Sequence, residues 1–285
     1  MLNVLIDAYA VSPIWGSEPG MGWNWVSNLA HFCNLHIITE GEWKDDIEEA
    51  VSKHPFKDNL HFYYINVSPK VRTMCWNQGS WMFYKYYREW EYLALDQARK
   101  ICQQEKIDVL HKLNMICFRE PGFLWQIKNI PFVWGPVGGY GAFDLRYLKG
   151  SPISFRMKMI LKNIINYISF RIQPRVRKAM NSASIVVGAY KECFEAIRNV
   201  YTKDVVLINE TGAFIDKGTL PHTSDEDEFK VMWVGKYDTR KQLGIALQTM
   251  SLLKDKKNIH LYVIGTGYES DVKRYSRMVT DFTRK

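Results

Sequence analysis

Short runs of apolar and β-branched residues alternate along this chain with longer stretches in which apolar residues recur every three or four positions. That is the pattern of βαβ units, and it predicts a parallel sheet with helices on both faces. Strands are predicted at Leu2 to Asp7, Leu35 to Thr39, Leu60 to Val67, Val109 to His111, Pro131 to Trp134, Ser184 to Val187 and Val205 to Ile208. Helical spacing is clear in Trp25, Val26, Leu29, Ala30 and Cys33, and again in Tyr190, Cys193, Phe194, Ile197 and Val200. A long helix is predicted from Gly79 to Gln104, and the aromatic crowding of Phe83, Tyr87 and Trp90 on one of its faces suits a core. In residues 156 to 178, Met157, Ile160, Leu161, Ile164, Ile165 and Ile168 share another helical face.

The pattern breaks at Asp216 to Glu228, which is polar, acidic and carries Gly218 and Pro221. An interdomain linker is placed at 216–229, between a first domain at 1–215 and a second at 230–285. The second restarts the same grammar, with strands at Lys230 to Val234 and Ile259 to Ile264 around a helix bearing Leu243, Leu247 and Met250. Two parallel strands cannot bury both faces of a sheet or cover its edges, so this region reads as the opening of a Rossmann-like domain, incomplete here.

Composition changes the picture in one respect. Of the 285 residues, 38 are Lys or Arg and 30 Asp or Glu, and the excess is local: residues 145 to 191 hold ten Lys or Arg and no acid. Such a block attracts phosphates or anionic lipid. In residues 156 to 178 the charge lies on an apolar helix, which either packs into a core or lies in the interface of an anionic membrane. No nucleic-acid motif accompanies the charge, so no nucleic-acid partner is expected. Five scattered cysteines without a C-x-x-C pair argue against a disulfide framework or a zinc site and fit a reducing cytoplasm. Asp7 cuts the amino-terminal apolar run, and no uncharged apolar stretch spans a bilayer, so any membrane contact is peripheral, on the inner face.

The candidate chemistry gathers at the ends of strands. Gly16, Gly20 and Gly22, with Ser17 and Glu18 between them, form a turn directly after the first strand and before a helix, where backbone N–H groups can approach an anion. The spacing G-x-x-x-G-x-G is neither the dinucleotide fingerprint nor a P-loop. A second cluster with Gly138 and Gly139 follows the fifth strand, and His111 ends the fourth, on the same edge of the sheet. A histidine there serves as acid, base or donor to a sugar hydroxyl, or is structural. Arg119 and Glu120 offer a fork donor and a carboxylate nearby, though such an adjacent pair is usually a helix-entry feature. In the second domain Lys236 and Lys241 flank the turn after the first strand, a diphosphate-shaped environment.

With these residues in place the chain resembles a GT-B glycosyltransferase of family 4, the retaining enzymes that use nucleotide-sugar donors. The resemblance rests on the turn Gly16 to Gly22, on Val206-Leu-Ile-Asn-Glu-Thr-Gly-Ala213, and on Val234-Gly-Lys-Tyr-Asp-Thr-Arg-Lys241. It departs where Lys236 stands for the commoner arginine, where Gln242 replaces a glycine, and where the paired H-x-H is here His111-Lys112-Leu113. The resemblance implies a fold of two Rossmann-like domains, the second truncated, and a nucleotide-diphospho-sugar whose diphosphate is bound by Gly16, Ser17, Gly20, Lys236 and Lys241. His111 would stand beside the transferred sugar as the catalytic residue. Glu18, Arg119, Glu120, Gly138 and Gly139 are acceptor or sugar candidates. It implies no cofactor and no metal, and hexosyl transfer to a polysaccharide or glycolipid of the cell surface. The family's late glutamate pair, eight positions apart, is not reached; Glu40 and Glu48 share that spacing in the first domain and read as a solvated helix entry. The chain alone is therefore expected to be inactive, and the alternative is a non-catalytic remnant that serves as a binding or membrane-associating module.

Overall fold

The computed structural model describes residues 1–77, 80, 82–148, 153–211, 228–238, 241–267 and 269–283. Residues divide into two compact units, Met1–Phe143 with Ile160–Ala213, and Asp144–Met159 with Phe214–Lys285. The linker expected at 216–229 lies, up to residue 227, outside the described residues, and Phe229 already belongs to a strand.

In the first unit seven strands form one sheet: β1 (Leu2–Asp7), β2 (Cys33–Glu40), β3 (Leu60–Ile65), β4 (Val109–Lys112), β5 (Phe132–Val137), β6 (Ile185–Gly188) and β7 (Val205–Leu207). Every pairing is parallel, in the order β3-β2-β1-β4-β5-β6-β7. All seven strands coincide with the predicted runs to within a few residues. Consecutive residues Leu5, Ile6 and Asp7 of β1 and Leu35 to Glu40 of β2 are all buried, so both faces of the sheet are covered, as parallel sheets require. The connecting helices are α1 (Ser17–Leu29), α2 (Lys44–Ser52), α3 (Pro69–Trp76), α4 (Phe83–Gln104), α5 (Ile153–Ile172, of which the residues from Ile160 on belong to this unit), α6 (Pro174–Ser182) and α7 (Lys191–Tyr201).

Three local expectations are corrected. Cys33 opens β2 and is not the last turn of α1, which is capped at Ala30. The long helix begins at Phe83, and α3 precedes it, entered by Ser68, whose Oγ accepts from the Val71 N–H, with Pro69 in its first turn. Glu40 is not solvated: it is fully buried and takes two hydrogen bonds from the Arg72 guanidinium, at 2.7 and 3.1 Å.

The second unit has β8 (Phe229–Lys236) paired in parallel with β9 (Ile259–Thr266), and helices α8 (Leu243–Leu252) and α9 (Glu269–Thr283). Leu243, Leu247 and Tyr275 form its small core against Trp233, Leu261 and Val263. Met232, Val234, Tyr262 and Ile264 alternate with these and are exposed. Among the described residues, one face of this sheet packs on the core and the other is exposed, as the count of two strands predicted.

Candidate functional site

The strand order reverses at β1, whose neighbours are β2 on one side and β4 on the other. In open parallel sheets, ligands bind outside the carboxyl ends of the strands at such a point. After Asp7 the chain stays extended beside β2, with Ala8 N–H donating to Ile38 C=O and Glu40 N–H to Tyr9 C=O, both at 3.0 Å. Ser12 then turns it, its Oγ accepting from the N–H groups of Ile14 and Trp15.

The glycines that follow differ in what they do. A Cβ at Gly20 would run into the carbonyl oxygen of Trp15, and one at Gly22 into that of Ala10, so these two are fixed by close packing. Around Gly16 there is open space, and the left-handed backbone position is held by Ser17, with φ of 57°. Gly16 and Ser17 are both exposed at the amino terminus of α1, where the first N–H groups of a helix lack intrahelical partners. Glu18 reaches away from solvent. Its Oε1 accepts from the Ile116 N–H at 2.9 Å, and burial, partly offset by that hydrogen bond, raises its pKa.

Ile116 in turn accepts from the Gly138 N–H at 2.7 Å, and Gly138 C=O accepts from the Phe118 N–H at 3.1 Å. The first turn of α1 and the loops after β4 and β5 are thus stitched together through Ile116, which the sequence does not single out. Gly139 has φ of +76°, a conformation that favours glycine. The structure therefore brings Glu18, Gly138 and Gly139 to one place beside the α1 turn.

His111 lies beneath this edge, paired in register with Ile6 of β1 and only 6% exposed. Its Nε2 lies 2.7 Å from the Gly135 carbonyl oxygen. A carbonyl only accepts, so Nε2 carries the proton and Nδ1 is the acceptor of the neutral ring. Burial pulls its pKa down to about 4, with the neighbouring Lys112 adding to the effect and the Gly135 hydrogen bond opposing it. At neutral pH this ring can take a proton only at Nδ1.

The second histidine of the expected H-x-H pair is replaced by Leu113, and Lys112 between them is fully committed. Its Nζ donates to Asp7 at 3.0 Å, to Glu91 at 2.5 Å and to the Tyr87 hydroxyl at 2.9 Å, all buried. Desolvation alone would lower the lysine pKa, but the two carboxylates hold it above its ordinary value. Asn114 clamps Ala10 from both sides, its amide donating to the Ala10 carbonyl and its Oδ1 accepting from the Ala10 N–H at 3.4 Å. Neither residue was singled out from sequence, where a lone lysine and a lone asparagine near a strand end carry no signal.

Arg119 and Glu120 do not act as a pair. Glu120 is buried and takes Arg88 on Oε1 at 2.7 Å and Arg175 on Oε2 at 2.9 Å, while Arg119 lies over the Phe118 ring, 5.2 Å from its centroid. Both oxygens of Glu120 are spent on ion pairs within the fold. The segment from Val206 runs through β7 to Glu210, whose carbonyl accepts from the Trp25 indole at 2.9 Å; Gly212 and Ala213 lie outside the described residues.

In the second unit Lys236 ends β8 and Lys241 stands two residues before α8, both exposed. The Lys241 N–H donates to Asp238 C=O at 2.9 Å, and its own carbonyl accepts from the Trp233 indole at 3.2 Å, which fixes the turn against the sheet. Arg240 lies outside the described residues. A groove of about 630 Å³ lies between α8, β9 and α9, lined by Leu247, Met250, Leu261 and Phe282 among others. None of its lining comes from the Lys236–Lys241 turn, so it is a packing gap rather than the basic site.

No protein-family model matches the sequence, and no curated protein does. Solved structures do resemble the fold. The chain superposes on the trehalose-6-phosphate phosphatase N-terminal domain of Candida albicans with a TM-score of 0.55 at 12% identity, covering 98% of this chain and 68% of that one. For the sucrose-phosphate synthase of Thermosynechococcus elongatus the TM-score is 0.54 at 11% identity, over 99% and 68% of the two chains. For the α,α-trehalose 6-phosphate synthase of Burkholderia multivorans it is 0.56 at 8% identity, over 99% and 68%. These likenesses establish an α/β fold of the GT-B type. Among the described residues, no helix is long and apolar enough to cross a membrane.

Proposed function

We propose that this chain carries the acceptor side and the diphosphate-binding turn of a retaining family 4 glycosyltransferase, acting on a nucleotide-diphospho-sugar. The observation that carries the reading is the stitching of Glu18, Ile116 and Gly138, which ties the loops after β4 and β5 to the exposed start of α1 at the β1/β4 switch point. Gly16, Ser17 and Gly20 would offer N–H groups to the donor, and Lys236 and Lys241 would neutralise its diphosphate without a metal or other cofactor. Leaving-group charge is the main electrostatic demand of such a reaction, and cations beside a helix start meet it.

His111 is assigned to the transferred sugar. A neutral ring anchored through Nε2 presents Nδ1 as a fixed acceptor for a sugar hydroxyl, which positions the sugar and does not supply a proton. Gly138 and Gly139, with Arg119, border the place for a glycan or lipid-linked acceptor of cell-surface biosynthesis on the cytoplasmic side. Glu120 supports them through Arg88 and Arg175.

Binding is the direct test, since the 285-residue chain by itself is expected to turn over no donor. Nucleoside diphosphates should bind it with millimolar affinity, read from ³¹P line broadening, and the Lys236→Ala, Lys241→Ala double variant should weaken this at least tenfold. Binding that ignores both lysines would remove the donor assignment. Glycosyl transfer by the purified chain would replace the expectation of inactivity.

A further inference from the structure

α5 is built inside out. Toward the body of the protein it turns amides: the Asn163 side chain accepts from the Phe143 N–H and donates to the Phe143 carbonyl, both at 2.9 Å, and Asn166 donates to Gly139 C=O at 3.3 Å. Phe170, fully buried, is the aromatic anchor on that side. Away from the body it turns Ile160, Leu161, Ile164, Ile165, Ile168 and Ile172, each between 37 and 63% exposed. These positions recur at helical spacing and form one continuous stripe. Single exposed apolar residues are ordinary on a protein surface, but a stripe of six large aliphatic side chains marks a surface that something covers.

The charge beside the stripe says what. Lys158 and Lys162 are exposed on the same helix, and Arg177 and Lys178 on α6, which follows it. Tyr167, also exposed, borders the stripe, and the Arg171 guanidinium stacks 3.6 Å from its ring centroid while donating to the Tyr140 hydroxyl at 3.1 Å. Residues 145 to 191 contain no acid at all. A second copy of the chain would bring the same cations against these and be repelled. An aliphatic stripe with tyrosine and cations along its margins is matched by hydrocarbon under a layer of anionic headgroups.

We propose that α5 docks this protein on an anionic phospholipid bilayer, lying in the plane of the interface with its isoleucines in the acyl region and its lysines among the headgroups. The inference rests on the exposure and charge of the helix and is independent of the sugar-transfer reading.

The test is co-sedimentation of the 285-residue chain with vesicles of phosphatidylcholine alone and of phosphatidylcholine with phosphatidylglycerol. The chain should pellet with the anionic vesicles, and added salt should weaken the binding. Lys158→Gln with Lys162→Gln should reduce the partition coefficient about thirtyfold. Ile164→Glu with Ile168→Glu should leave the chain in the supernatant with an unchanged thermal melt, because both side chains are solvent-exposed to begin with. The proposal is overturned if the parent chain stays in the supernatant with both vesicles, or if the glutamate variant pellets as the parent does. It is equally overturned if sedimentation equilibrium finds a dimer that the glutamate substitutions dissolve, since a second copy would then be what covers the stripe.

Discussion

α4 and α5, 22 and 20 residues long, each carry an apolar face and turn it in opposite directions. α4 buries Phe83, Tyr87, Trp90, Ala94 and Ile101 in the sheet core, with Trp90 and Tyr87 packed edge-on against Tyr9 at 5.0 and 5.6 Å between centroids. α5 leaves its isoleucines outside and anchors through asparagines. Each helix also sends a polar group inward. For α4 this is Glu91, met by Lys112, and for α5 it is an amide met by backbone. What decides orientation is therefore whether the polar residues find partners in the body of the protein. An apolar stripe in the sequence declares a buried face without saying whether protein or something else buries it.

The largest expected effect tests the buried side of that contrast. Trp90→Ala should cost about 3–5 kcal/mol of stability by chemical denaturation, because the surrounding rings cannot close over the void. A loss under ~1 kcal/mol would mean that α4 is not core.

Lys112→Met should cost about 3 kcal/mol, since it leaves the Asp7 carboxylate buried without its cation and Glu91 and Tyr87 without their hydrogen-bond donor. A variant as stable as the parent would show that the charges are dispensable to the placement of α4.

The pH dependence separates an ionic anchor from an amide one. Burial, and next to it the charge of Asp7, hold the Glu91 carboxyl above its ordinary value of 4.5. The folded protein then keeps a proton that the unfolded chain releases, so this group makes stability fall as pH rises from the ordinary glutamate range upward. Urea midpoints between pH 5 and 8 should decline less steeply in Glu91→Gln; Asn163→Ala should leave the slope alone. An unchanged slope in Glu91→Gln would remove Glu91 as its source.

The smallest effects belong to α5. Asn163→Ala gives up two hydrogen bonds and should cost about 1–2 kcal/mol, whereas its neighbour Ile164→Ala should stay within ~0.5 kcal/mol. The reverse ranking, read by thermal melts, would show that the isoleucines are packed after all.

The strands were legible in the sequence because parallel strands buried on both faces carry short apolar runs, as Val4 to Ile6 of β1 and Ile185 to Val187 of β6 do. α3 was missed although Ser68 and Pro69 carry an entry signature, because its eight residues are too few to show a period. From the sequence Glu40 reads as a solvated helix entry, and Glu120 as a sugar-contact candidate or half of a helix-entry pair. Their burial depends on Arg72, Arg88 and Arg175, each 32 or 55 residues away along the chain, and local composition does not report such distances. The glycine turn was legible in place but not in detail. That Gly20 and Gly22 serve packing, while Ser17 takes the left-handed position, follows from contacts with Trp15 and Ala10 that only the folded chain makes.

The order of strands around β1 has a consequence for synthesis. β1 is made well before β4, yet the two pair side by side, and the Asp7–Lys112 ion pair joins residues 105 positions apart. Until β4 leaves the ribosome, β1 has an unpaired edge and Asp7 lacks the Lys112 counter-charge. Such high contact order slows folding and lengthens the time a sticky edge is open. Chaperone demand should therefore be highest for nascent chains that have passed β3 and not yet completed β4, and should drop once Lys112 emerges.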